Sequence, residues 1–171
     1  MKRIDEKEAL RRLDKIKTAY RNKIRNDYET KAKDCLGCET QGACCLDAHF
    51  VNVHITKLEA AALKTVLQAL PAARQVEIAR RISETIERYN LTDAGETFSQ
   101  SFACPLFEKG TGCLVHSVKP VPCIQHACYE RREDLPPDEL QNETERRIER
   151  LNCQTYGNVD WLPLPVALKR D

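Results

Sequence analysis

Apolar residues recur every three to four positions at the start of the chain: Ile4, Leu10, Leu13, Ile16 or Lys17, Tyr20, Ile24 and Tyr28, with charges between them. That spacing gives a helix one apolar face and predicts a long amphipathic helix over residues 1–34. After a Cys/Gly-rich loop at 35–48 the period changes to two. Val51, Val53 and Ile55 alternate with Asn52 and His54, which predicts a short half-buried strand in HFVNVHI. Thr56 and Glu59 fit a capping box, in which the Thr hydroxyl and Glu carboxylate satisfy free backbone donors at a helix start. The helix that follows carries Leu58, Ala62, Leu63, Val66, Leu67 and Leu70. Pro71 closes it and suits the first turn of the next, which runs to about Tyr89 with Val76, Ala79, Ile82 and Ile86 inward. The two helices predict an antiparallel helical hairpin.

Further along, CPLF and CLVH flank EKGTG, whose glycines allow the positive backbone angles of a tight reversal, so this stretch reads as a β-hairpin. Residues 136–151 begin with prolines and acids and continue as a charged helix. The tail NVDWLPLPVAL, with two prolines, is expected to lie extended across the surface. The expected fold is α+β and mostly helical: a small metal-centred core with short strands, a helical hairpin and a long N-terminal helix. Three segments follow, with an amphipathic helix at 1–34, a cysteine-cluster domain at 35–135, and a helix with an extended tail at 136–171.

Composition narrows the function classes. Of 171 residues, 42% are hydrophobic and 31% charged, enough apolar surface for a packed core. Lys+Arg 27 against Asp+Glu 26 leaves a formal charge of +1, so the chain as a whole carries no basic signal for nucleic acid. The first 34 residues hold 12 Lys/Arg against 7 Asp/Glu, or +5, but no aromatic platform is interleaved, and a solvated helix face packing on the domain or on a partner helix is the favoured account. No stretch approaches the ~20 apolar residues of a membrane span. The start, MKRIDEKEAL, alternates charges where a signal peptide would be apolar, which points to the cytoplasm.

Nine cysteines change the picture. Cys35-x2-Cys38-x5-Cys44-Cys45 forms one group and Cys104-x8-Cys113-x9-Cys123-x4-Cys128 a second, with Cys153 isolated and expected to be an ordinary half-buried residue. In a reducing compartment such density points to metal or redox chemistry more than to disulfides. A two-residue gap lets one loop turn both sulfurs toward one ion, and Gly37 and Gly42 allow tight folding there. Pro120 and Pro122 stiffen the approach to Cys123. Adjacent side chains point to opposite sides of an extended chain, so one of Cys44 and Cys45 is a ligand while the other is a core residue, a second-site ligand or a redox thiol. His126 could substitute as a ligand, though a hydrogen-bonded or exposed role is favoured; His49, His54 and His116 are weaker candidates.

These positions resemble the prokaryotic YkgJ-like cysteine-cluster family, described as zinc- or iron-chelating and often labelled Fe–S oxidoreductase. The resemblance rests on Cys35-x2-Cys38, the Cys44-Cys45 pair, Cys104-Pro105-Leu106-Phe107, Cys113-Leu114-Val115-His116, and Lys119-Pro120 before Cys123 and Cys128. It covers residues 35–128. Five residues separate Cys38 from Cys44 where the family has about two, Lys119 stands where it has Arg, and His116 and His126 stand where it tends to have Tyr. The resemblance implies metal chelation and supplies no substrate.

Zinc and iron–sulfur clusters both accept four thiolates. A closed zinc site would stabilise the fold by ~10–16 kcal/mol, comparable to the whole ~5–15 kcal/mol of a typical domain. The long first loop and the Cys104-Pro105 pair, which resembles ferredoxin ligand loops, favour a 4Fe-4S cluster held by Cys35, Cys38 and one of Cys44/Cys45, completed from Cys104, Cys113, Cys123 and Cys128. The expected function is electron transfer, or service to a redox or maturation enzyme with a protein partner. The competing readings are a structural zinc module that binds protein or, less favoured, nucleic acid, and a thiol–disulfide protein using Cys35 and Cys38. Dimerisation through the N-terminal helix stays open. No Ser/His/Asp order, glycine-rich phosphate loop or carboxylate pair is present to suggest other catalysis.

Overall fold

Asp5 opens the first helix by accepting the Glu8 N–H at 2.9 Å, a side-chain cap for one of the helix's unpaired donors. The computed structural model describes residues 3–33, 39–49 and 51–170, and helix α1 in it runs Glu6–Asp27. It is shorter than the periodicity predicts: a 3-10 turn at Glu29–Lys31 and strand β1 at Ala32–Lys33 follow. Its inward face is Ala9, Leu13, Lys17, Tyr20 and Ile24.

A short helix α2 covers Ala43–Leu46, and strand β2 covers His54–Ile55. The capping box at Thr56 and Glu59 forms as the sequence predicts and starts α3, Lys57–Gln68. A further α3 donor, the Leu58 N–H, is satisfied by Asn152 Oδ1 at 3.0 Å. Pro71 precedes α4, Ala72–Tyr89, which ends on Asn90 in the left-handed conformation. Ile78 and Ile82 are its buried residues, whereas Val76, expected inward, is 71% exposed.

The predicted hairpin forms as β3 (Phe107–Glu108) against β4 (Gly112–Cys113), with Phe107 opposite Cys113. Helix α5 (Val121–Gln125) and β5 (Cys128–Tyr129) follow, and β5 pairs antiparallel with β1, setting Lys33 opposite Cys128. Helix α6 spans Asp138–Tyr156, longer than predicted, and takes in Cys153.

The tail corrects its expectation. It forms β6 (Leu162–Pro163), paired with β2, and then helix α7 (Leu164–Lys169), which packs on both α3 and α4. Pro163 caps α7 and Pro165 lies in its first turn, where a missing N–H costs nothing and a fixed φ is preorganised. In place of an extended surface tail, the two prolines start a helix.

Two apolar clusters result. One gathers Ile55, Leu63, Ile78, Phe102, Leu106 and Leu164, with Cys104 and Cys113 against it. The other gathers Ala9, Leu13, Leu58, Val121, Ile148 and Leu151 between α1, α3, α5 and α6. At about 1.5–3 kcal/mol for each fully buried large aliphatic or Phe side chain, these clusters dominate the fold's stability. Helix α3 contributes to both. The architecture is mostly helical α+β with a long N-terminal helix and three two-stranded ladders among the described residues. No helix among them is long and apolar enough to cross a membrane.

Candidate metal centre

Gly42 starts α2 at φ +80°, in the left-handed region, and a Cβ there would meet the Phe107 ring at 2.0 to 2.7 Å. Only glycine lets the loop carrying Cys44 and Cys45 lie against the hairpin carrying Cys104 and Cys113. The Cys104 N–H donates to the Cys45 carbonyl at 2.7 Å and ties the two stretches directly. Arg81 of α4 fixes the hairpin from the other side, donating to the Phe107 carbonyl at 2.6 Å and to Glu108 Oε1 at 2.7 Å. Arg74 also hydrogen-bonds Glu108.

Beyond Cys113 the chain makes a 3-10 turn at His116–Val118, and Pro120 then caps α5. The Ile124 N–H returns to the Pro120 carbonyl at 3.0 Å, which sets Cys123 in the first turns of that helix. His126 ends α5, and Cys128 lies in β5 across from Lys33, two residues before Cys35 in the sequence.

The electrostatics group these cysteines. Burial, with the Cys113 charge, pushes the Cys104 thiol up to about 11, while the Leu106 and Phe107 N–H groups and the Arg81 charge pull it down. Burial raises Cys113 against the Val115 N–H and the Lys119 charge. Cys123 is raised by burial and then by Cys104 and Cys113. Cys45 is raised by its hydrogen bond to Cys44, by burial, and by the charges of Cys104 and Cys123. Cys104 and Cys123 thus oppose the ionisation of Cys45, Cys104 and Cys113 that of Cys123, and Cys113 that of Cys104. Backbone N–H groups aimed at Cys104 and Cys113 are donors of the kind that steady a metal-bound thiolate.

Cys44 turns elsewhere. Hydrogen bonds from Cys45 and His126 hold its thiol well below the ordinary range, and the same contact with Cys44 raises His126. The pair lies in a helical turn, not an extended chain, so the expected opposite directions do not apply: the two thiols hydrogen-bond each other, and Cys44 alone also bonds His126. Cys44, Cys45, Cys104, Cys113, Cys123 and Cys153 carry thiols, all partly buried.

Cys35 and Cys38 lie outside the described residues. Among the described residues no group of three or more His, Cys, Asp or Glu side chains is placed so that it could hold a metal ion. His54 is occupied structurally: its Nε2 is 2.9 Å from the Thr97 carbonyl and its ring stacks on Phe98 at 4.4 Å. Sequence reasoning missed Arg81, whose partners lie 26 and 27 residues away, and no local signal marks it. No protein-family model, curated protein sequence or solved structure matches the chain.

Proposed function

We propose that this chain binds an iron–sulfur cluster, of the four-iron type, through Cys35, Cys38 and Cys45 with ligands from Cys104, Cys113, Cys123 and Cys128, and serves electron transfer or a redox or maturation enzyme. The observation carrying this reading is that the Cys104 N–H bonds the Cys45 carbonyl, and that the charges of Cys104 and Cys123 bear on Cys45 and those of Cys104 and Cys113 on Cys123. The repulsion between these thiolates is a cost that a bound cation removes. The N–H groups pointed at Cys104 and Cys113 support thiolate ligation in the same way. Cys45 is preferred over Cys44 because its charge partners are Cys104 and Cys123, whereas Cys44 is engaged with His126. Cys35 and Cys38 enter the proposal on their two-residue spacing. When bound, such a cluster supplies a one-electron carrier.

Anaerobic purification with iron, sulfide and zinc analysis and visible spectroscopy tests the reading. The expected result is a coloured protein with iron and acid-labile sulfide in equal amounts, lost in Cys104→Ser and Cys123→Ser and kept in Cys153→Ser. A colourless protein holding stoichiometric zinc, after reconstitution with iron and sulfide has failed, overturns it.

A further inference from the structure

Helix α1 lies outside the cysteine-bearing stretch, yet one of its faces holds the turn that leads to Cys123. Lys17, buried with 4% of its surface exposed, donates from Nζ to the Val118 carbonyl at 3.0 Å. One turn on, Arg21 Nη2 donates to the Ser117 carbonyl at 2.7 Å, and Tyr20 hydrogen-bonds Gln125. Lys17 Nζ is also 3.2 Å from Glu59 Oε1, an ionic contact not aligned as a hydrogen bond, between side chains 5% and 1% exposed. The second carboxylate oxygen, Oε2, accepts from the Thr56 N–H at 3.3 Å, so the carboxylate is fixed at the start of α3. Its charge reaches Cys123. A buried cation therefore touches both the turn that leads to a proposed ligand and a carboxylate of α3, the helix packed on that turn.

We propose that Lys17 is a positioning residue for the sulfur site: it pins the 116–123 turn through the Val118 carbonyl and neutralises the buried Glu59 carboxylate of α3, the helix packed on that turn. The proposal rests on the metal reading for its electronic consequence and on geometry alone for its positioning. An ammonium whose removal would leave a buried carboxylate unpaired is costly to lose, which is why it is tested together with its partner.

The experiment compares Lys17→Met, Glu59→Gln and the double variant in the full metal-loaded chain, by amide hydrogen exchange and by the midpoint potential of the centre. Lys17→Met leaves Glu59 uncompensated and is expected to lower the potential; Glu59→Gln is expected to raise it; the double variant returns near wild type. Exchange across 116–125 is expected to quicken in both variants lacking Lys17, with α4 unchanged. A merely structural role would not give potential shifts of opposite sign. Arg21→Gln, which spares the ion pair, is expected to quicken the same segment with the potential unmoved, and it serves if Lys17→Met does not fold. Unchanged exchange at 116–125 in the double variant and in Arg21→Gln, or potential shifts of one sign in both single variants, overturns the proposal. A wild-type chain that takes up no iron defeats the cluster reading instead, and the exchange measurements still decide the positioning.

Discussion

Cys44 shows how neighbouring hydrogen bonds set the state of one side chain. Its thiol is held below the ordinary value of 9.0 by Cys45 and His126, while Cys45 is driven above it. Between the depressed and the ordinary value, Cys44 is a thiolate in the folded chain and a thiol in the unfolded one. Its contribution to stability is therefore present above the ordinary thiol value and is lost as pH falls toward the folded value. Cys45 acts oppositely, contributing below the ordinary value and losing that contribution as pH rises above it. In metal-free protein at about pH 6, iodoacetamide is expected to modify Cys44 before any other described cysteine, because the thiolate is the nucleophile. His126→Leu is expected to move the rate profile to higher pH, as read by mass mapping; an unchanged profile would remove His126 from this role. The sequence marked His126 as a candidate without saying what it touches, since its partner lies 82 positions away in the chain.

At the scale of elements, the joint between α2 and the hairpin depends on Gly42. Gly42→Ala combines a left-handed backbone, costing about 1–2 kcal/mol, with a Cβ inside the Phe107 ring, which must then shift. Gly110, at φ +83°, has the same backbone demand and nothing within 4 Å. Urea unfolding is expected to show Gly110→Ala losing about 1–2 kcal/mol and Gly42→Ala at least about 1 kcal/mol more, with metal uptake impaired only in the latter. Equal losses would mean the ring does not matter. Elements governed by near neighbours were readable from sequence: the Thr56–Glu59 box spans one helical turn, and the EKGTG reversal carries its own glycines. Elements governed by distant partners were not. Val76 fits the apolar period of α4, but Ile78 and Ile82 take the buried face. Lys17 falls on the apolar period of α1, but nothing local says what pairs its charge, because the counter-charge is Glu59 on another helix. The tail reads as extended because the surface that α7 covers on α3 and α4 is not visible in a linear pattern.

For the whole molecule, the candidate centre lies where the two apolar clusters meet. Cys104 and Cys113 pack against one cluster, and Cys123 follows Val121 of the other. A ligand binding only the folded state at 1,000 times its dissociation constant adds about 4 kcal/mol, and here that gain would fall across the seam. The loaded chain is expected to unfold in one transition, with Trp161 fluorescence and far-ultraviolet circular dichroism coinciding. After chelation the midpoint is expected to fall and the two probes to separate; coincident curves at an unchanged midpoint would show that the seam needs no ion.

The burial of α7 also has a bearing on biosynthesis. Residues 162–169 are translated after every cysteine in the chain, yet Leu162, Leu164 and Leu168 complete the cluster on which Cys104 and Cys113 rest. Until that stretch has been made, the thiols of the proposed centre lack part of the surface they rest on. Any ion that the proposed centre takes up would therefore find its floor finished only once residues 162–169 have emerged and folded back onto α3 and α4.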